Sequence, residues 1–199
     1  MDNVEQAVAY IKSLNLQIVA PTLYGHMGAV LVDASLRTGM NYERVLMPRV
    51  AKIAAIEAGR TTTGFVGLLA RQSLEDLLSW RPGPKPTLIR NLTQLLVAER
   101  VETVSDLAAW LQRPEGPPTL LSIKGIGPKT VDYMKGLVGC DAVAIYDVHL
   151  VKFLRHAGIA TKNYREARTV VESAADRLGI DRGRLDQSIW KFMSRNTSP

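Results

Sequence analysis

The chain has 199 residues, 46% of them hydrophobic and 22% charged, enough apolar residues to bury a core as one long domain or two small lobes. Its 25 Lys and Arg outnumber 19 Asp and Glu, giving a formal charge of +6 and a pI near 9.6, so an anionic partner is expected, nucleic acid first. A single cysteine, Cys140, excludes an intrachain disulfide framework and any zinc or iron–sulfur site of clustered cysteines. No apolar run approaches the ~18 residues of a membrane span, and the opening "MDNVEQ" lacks a basic stretch followed by an apolar one, so a cytoplasmic protein without a membrane partner is expected.

Taken in chain order, the apolar period is helical almost throughout. Leu23, Met27, Val30, Leu31 and Ala34 recur at three and four, as do Val45, Val50, Ile53 and Ala54 with one slip. Ser73 with Asp76 in "SLEDLL" predicts a helix start. The stretch "SWRPGPKPTLIR" breaks the pattern with three prolines among Arg81, Lys85 and Arg90, after which Leu88, Leu92, Leu95 and Leu96 resume it. Ser105 before "DLAAWL" is a second N-cap candidate, and "QRPEGPPTLLS" is a second proline-rich break. Further on, Gly158 and Gly179 follow the last apolar positions of their helices. About ten helices with short links are expected, with scarce strand-like alternation.

The segment after the second break is the most informative. In "TLLSIKGIGPKTVDYMKGLV" a short apolar helix, Leu120 to Ile123, meets Gly125-Ile126-Gly127, and a second helix follows with Val131, Met134, Leu137 and Val138 on one side. This is the pattern of a helix-hairpin-helix, spanning about 118–138. Its physics suits a DNA backbone, because amides near Gly125 and Gly127 can donate to phosphate oxygens at a helix start while Ile126 turns inward to pin the two helices. Lys124, Thr130 and Lys135 add polar or cationic contacts of the kind that make binding salt-dependent. Taken alone, the motif specifies binding, and Lys129 just after the second glycine is either a phosphate contact or a nucleophile.

Eighteen residues later, in "AVAIYDVHLVKFLRHAG", Asp147 sits between an apolar run and a helix containing Leu150, Val151, Phe153 and Leu154. The position suits an N-cap, and a carboxylate fixed at a helix start can cap and still present an oxygen to a cleft. His149 reads as a packing or hydrogen-bonding histidine, and Cys140 as a small thiol at a loop.

With both segments in view, the chain resembles the helix-hairpin-helix DNA glycosylases. "IKGIGPKTVDYM" is similar to the hairpin of endonuclease III and the 8-oxoguanine glycosylases, and "IYDVHLVKFL" to their aspartate segment. The resemblance implies that Lys129 is the catalytic lysine and Asp147 the catalytic aspartate, at the family's spacing. "RLDQSIWKFM" is similar to the last helix of the archaeal-type 8-oxoguanine enzymes, which also lack an iron–sulfur cluster. Trp190 in that helix is read as a wall for an extruded base or as a core residue beside Leu185, Ile189 and Phe192.

The chain also departs from the family. It has Val143 and Ala144 where a proline usually precedes the aspartate, and it ends "NTSP" without the lysine that archaeal-type enzymes use for base recognition. Where endonuclease III fills the gap left by the flipped base with a glutamine, "LVDASLRTG" puts Ser35 near that position. Arg81 or Pro82 of "WRPGPK" is the other candidate for insertion into the stack, a plain interhelical turn being the alternative.

The resemblance implies an all-α fold of two helical lobes with the hairpin at the cleft between them. Residues 1–24 and 142–199 would form one lobe and residues 25–141 the other. It further implies a base-excision-repair enzyme that is monomeric and nucleoid-associated. Its partner would be double-stranded DNA containing a damaged base, and it would use no cofactor except a monovalent cation at the hairpin. The expected reaction is excision of a flipped oxidised base through a Lys129 Schiff base, followed by strand cleavage, with 8-oxoguanine favoured over oxidised pyrimidines. The alternatives are a glycosylase in which Asp147 activates water and Lys129 only binds DNA, and a non-catalytic DNA-binding module.

Overall fold

The computed structural model describes residues 2–21, 23–140 and 148–196. Among the described residues the chain is all-α, with twelve α-helices and no strand. In chain order these are α1 (Asn3–Ser13), α2 (Met27–Leu36), α3 (Met47–Ala54), α4 (Thr62–Arg71), α5 (Leu74–Leu78) and α6 (Pro84–Ala98). They are followed by α7 (Val104–Leu111), α8 (Gly116–Leu121), α9 (Pro128–Leu137), α10 (Val148–His156), α11 (Tyr164–Leu178) and α12 (Arg182–Asn196). A π-helical turn, Tyr42–Leu46, leads into α3. None of these helices is long and apolar enough to cross a membrane.

Helix ends follow local side-chain chemistry. Asp2 and Glu5 form a reciprocal capping box on α1, and the Ser73 hydroxyl accepts from the Asp76 amide to start α5, as the sequence predicts. The start of α7 differs from expectation. Thr103, not Ser105, is the N-cap, because Asp106 accepts from both the Thr103 amide and its hydroxyl at 2.8 Å, closing a box two residues earlier. Gly179 ends α11 at φ +64, in the left-handed conformation suited to glycine.

Both proline-rich breaks turn out to be helix starts. Pro84 and Pro86 lie in the first turn of α6, and Pro117 and Pro118 in the first turn of α8, where a missing N–H costs nothing and a fixed φ favours the helix. The helix before the Gly-rich turn therefore begins at Gly116 and ends at Leu121, earlier than the expected Leu120 to Ile123. Leu23 lies before α2 and is 56% exposed, so the first apolar series begins at Met27.

The chain divides into two units, Leu23–Val138 on one side and Met1–Thr22 with Gly139–Pro199 on the other. Within Leu23–Val138, α2 is apolar nearly all round and all ten of its residues are buried, which makes it the central element. Leu46, Ile53, Phe65, Leu92, Trp110 and Met134 belong to the same core. Each such side chain contributes roughly 1.5–3 kcal/mol by leaving water. The other unit has its own core, in which Ala7 and Ile11 of α1 join Phe153 and Leu154 of α10, Val171 of α11 and Ile189 of α12.

Candidate active site

The Gly-rich turn between α8 and α9 is shaped by a few contacts. Leu120 is fully buried at the end of α8, Ile123 N–H donates to its carbonyl at 3.1 Å, and Ile126 N–H donates to the Ile123 carbonyl at 3.0 Å. Ile126 points inward, only 7% exposed, into the core that holds Leu120, Val131 and Met134, as the sequence predicts.

The two glycines serve different needs. Gly125 has φ +99, which an L side chain rarely adopts, while a Cβ there would meet Leu88 at an ordinary 3.7 Å. The dihedral, not space, requires glycine at this position. Gly127 is the N-cap of α9 with ordinary extended dihedrals, φ −116 and ψ 175, and a Cβ there would meet nothing within 4 Å. Its side-chain direction is open.

The outer surface of the turn is polar backbone. Lys124 and Gly125 are exposed and Gly127 is partly so. The Gly127 carbonyl accepts from Thr130 N–H at 2.9 Å and Val131 N–H at 3.1 Å, which closes the first turn of α9. Among the described residues, the amides of Lys124, Gly125 and Gly127 donate no backbone hydrogen bond. These amides can therefore serve an external acceptor beside the positive end of α9. Lys129 and Thr130 are the second and third residues of that helix, both partly exposed.

The remaining candidates fall in different settings. Asp147 lies outside the described residues, as do Val143, Ala144 and Ile145. Trp190 on α12 is partly buried, with its ring edge-on to His149 at 6.4 Å between centroids. Arg81 and Pro82 are exposed. The preceding residue is held from below, because the Arg49 guanidinium lies 4.9 Å from the Trp80 ring centre while donating to the Val45 and Ser79 carbonyls.

Ser35 does not occupy an exposed wedge position. It is 2% exposed, its carbonyl accepts from Lys85 Nζ at 2.8 Å, and its hydroxyl has no hydrogen-bond partner among the described residues. The cause is the complete burial of α2, on which it stands. Burial also pulls the Lys85 ammonium below the usual lysine range. Among the described residues, no group of three or more His, Cys, Asp or Glu side chains is arranged to hold a metal ion.

A second polar constellation escaped the sequence reading. Asp33, wholly buried on α2, accepts from Tyr24 Oη at Oδ2 and from Tyr133 Oη at Oδ1, both at 2.8 Å. At the C-cap of α2, four residues on, the Arg37 guanidinium lies 4.4 Å from the centre of the Tyr42 ring and 5.1 Å from that of Tyr133. Burial pushes the Asp33 carboxyl above the usual carboxylate range, opposed by the two phenol hydrogen bonds and by Arg37. Burial, reinforced by Asp33, raises the Tyr24 and Tyr133 phenols, so both remain donors at neutral pH. The available signal was an acidic residue inside the apolar run "GAVLVDASL", since a buried carboxylate must find donors elsewhere in the chain.

Comparison with known proteins bears on what the Gly-rich turn and Lys129 do. The chain is 36% identical over 108 residues to proteins named 8-oxoguanine DNA glycosylase/AP lyase from two strains of Saccharolobus islandicus, L.S.2.15 / Lassen #1 and M.16.4 / Kamchatka #3, covering 50% of each chain. These relatives are named as DNA glycosylase/AP lyases. A protein of the same name from Aquifex aeolicus (strain VF5) is 35% identical over 86 residues, 40% of this chain and 38% of that one. The chain thus spans about half the length of the curated relatives it matches. No family model and no solved structure matches it.

Proposed function

We propose that the protein is a DNA glycosylase with AP lyase activity that excises an oxidised base, 8-oxoguanine first, from duplex DNA. One observation carries this reading: Lys129 stands on the first turn of a helix, directly behind a turn with exposed donor amides, in a chain similar to curated 8-oxoguanine DNA glycosylase/AP lyases. The relatives' names favour the purine lesion over oxidised pyrimidines.

The DNA backbone docks on the turn. The Gly125 and Gly127 amides donate to phosphate oxygens without reading sequence, and Lys124 and Thr130 add a charge and a hydroxyl. A monovalent cation at the hairpin belongs to the same proposal. The Lys124, Gly125 and Ile126 carbonyls, which accept no backbone hydrogen bond outside the helices among the described residues, would be its ligands, and it would add positive charge beside the phosphate. The lesion must leave the stack to be reached, at a cost of a few kcal/mol.

In the chemical step, Lys129 Nζ as a free amine forms a bond to the sugar C1′. The glycosidic bond breaks, and its electron pair leaves with the base, which takes up a proton. Asp147, as a carboxylate, stabilises the positive charge that develops on the sugar and assists proton movement. Loss of a proton from Nζ and opening of the sugar ring give a Schiff base. Removal of a C2′ proton then expels the 3′ phosphate by β-elimination, cutting the strand.

A panel of duplexes, each with a single lesion and resolved on a denaturing gel, tests the reading. Cleavage at 8-oxoguanine and none in undamaged DNA is expected. Cleavage at thymine glycol alone would move the assignment to an endonuclease III-like substrate, and binding without base release would reduce the protein to a DNA-binding module.

A further inference from the structure

Two tyrosines donate to one buried carboxylate, and only one of them stands on the helix that carries Lys129. Tyr133 follows Lys129 by four residues, one turn along α9 on the same face. Its hydroxyl reaches Asp33 Oδ1 across 100 residues of sequence. Asp33 itself is anchored in the fully buried α2, and Arg37, the C-cap of that helix, lies beside the Tyr133 ring. Toward its other end, α9 is tied by the Tyr24 amide, which donates to the Leu137 carbonyl at 3.2 Å.

The apolar contacts of Val131, Met134 and Leu137 fix how deeply α9 sits, but such contacts are non-directional and tolerate small rotations about the helix axis. A hydrogen bond between a phenol and a buried carboxylate has a direction and resists rotation. A rotation of about 10° would carry a lysine Nζ on the order of 1 Å, given the radius at which a long side chain ends. Displacements of that size are enough to slow a bond-forming step severely.

We propose that Asp33, acting through Tyr133, is a positioning residue that sets the direction from which Lys129 Nζ meets the sugar. The inference rests on the reading of Lys129 as the nucleophile. Tyr24 serves as the internal control, since it gives the same carboxylate the same kind of hydrogen bond from outside α9.

Tyr133→Phe and Tyr24→Phe each remove one hydroxyl from Asp33. The experiment compares their single-turnover borohydride trapping on a duplex with a preformed abasic site, their affinity for that duplex and their thermal unfolding. Both should fold, with similar losses in unfolding temperature. Tyr133→Phe should trap about 10- to 100-fold more slowly with affinity unchanged, while Tyr24→Phe traps within about twofold of wild type. Equal slowing in both variants would make the network a stability element only, and wild-type trapping by Tyr133→Phe would overturn the inference alone. A wild-type protein that does not trap at all would remove the nucleophile and the inference together. Should Tyr133→Phe not fold, Asp33→Asn carries the same test, with slower trapping expected and wild-type trapping overturning the proposal.

Discussion

The two halves of α9 do opposite things with their polar groups. In the first turn, Gly127, Lys129 and Thr130 are partly exposed and the preceding amides are free to serve an external acceptor. In the later turns Val131, Met134 and Leu137 are buried, and the one hydroxyl, that of Tyr133, is consumed by a carboxylate inside the protein. The difference separates binding and chemistry from orientation. The exposed half can be altered with little effect on folding, whereas the buried half holds the helix in the core and sets its orientation.

The largest effect is expected in the buried half. Met134→Ala should destabilise the fold by about 2–5 kcal/mol, because it empties space in a core that is fully enclosed at this residue. Denaturant titration would measure the loss, while the affinity of the folded fraction for DNA should stay near wild type. A variant that lost DNA affinity without losing stability would break the separation.

Next comes the exposed half. Gly127→Val places a side chain into open space at ordinary dihedrals, so folding should change by no more than about 1 kcal/mol, the scale of an N-cap substitution. Affinity for any duplex should fall about tenfold or more, about 1.4 kcal/mol, because the side chain stands where a phosphate approaches. A Gly127→Val protein that bound DNA normally would show that this turn is not the anchor. Lys124→Gln should act more weakly, lowering the slope of log affinity against log salt by about 0.9 for the lost phosphate contact.

The smallest expected effect is in pH dependence. The folded-state pKa of Asp33 is raised by burial, so its contribution to stability is fullest below the ordinary carboxylate range and is lost as pH rises through the folded value. Asn at this position carries no such loss. Relative to wild type, Asp33→Asn should therefore gain unfolding temperature as pH rises above the ordinary carboxylate range. A gap that stayed flat would mean that the two phenols and Arg37 fully offset the cost of burying the charge.

What the sequence disclosed follows the same division. Helix periodicity, the Ser73 cap, the inward turn of Ile126 and the Gly179 stop are local signals, and they could be read directly. The prolines at 84, 86, 117 and 118 were read as breaks because proline interrupts helices in general, whereas here each pair sits in a first turn, where proline is favoured. Ser35 stands near the gap-filling position only by correspondence with the glutamine segment of endonuclease III, and only packing reveals that α2 is buried all round. The Asp33–Tyr133 bond joins residues 100 apart, and no local pattern names the partner of a buried carboxylate.

The central claim, that Lys129 forms a covalent bond to the sugar, is tested most directly by borohydride trapping on a duplex containing 8-oxoguanine, with wild type and Lys129→Gln side by side. Wild type should yield a covalent protein–DNA adduct, and Lys129→Gln should yield none while still binding the damaged duplex. An adduct formed by Lys129→Gln, or cleavage by that variant at the lesion, would contradict the account.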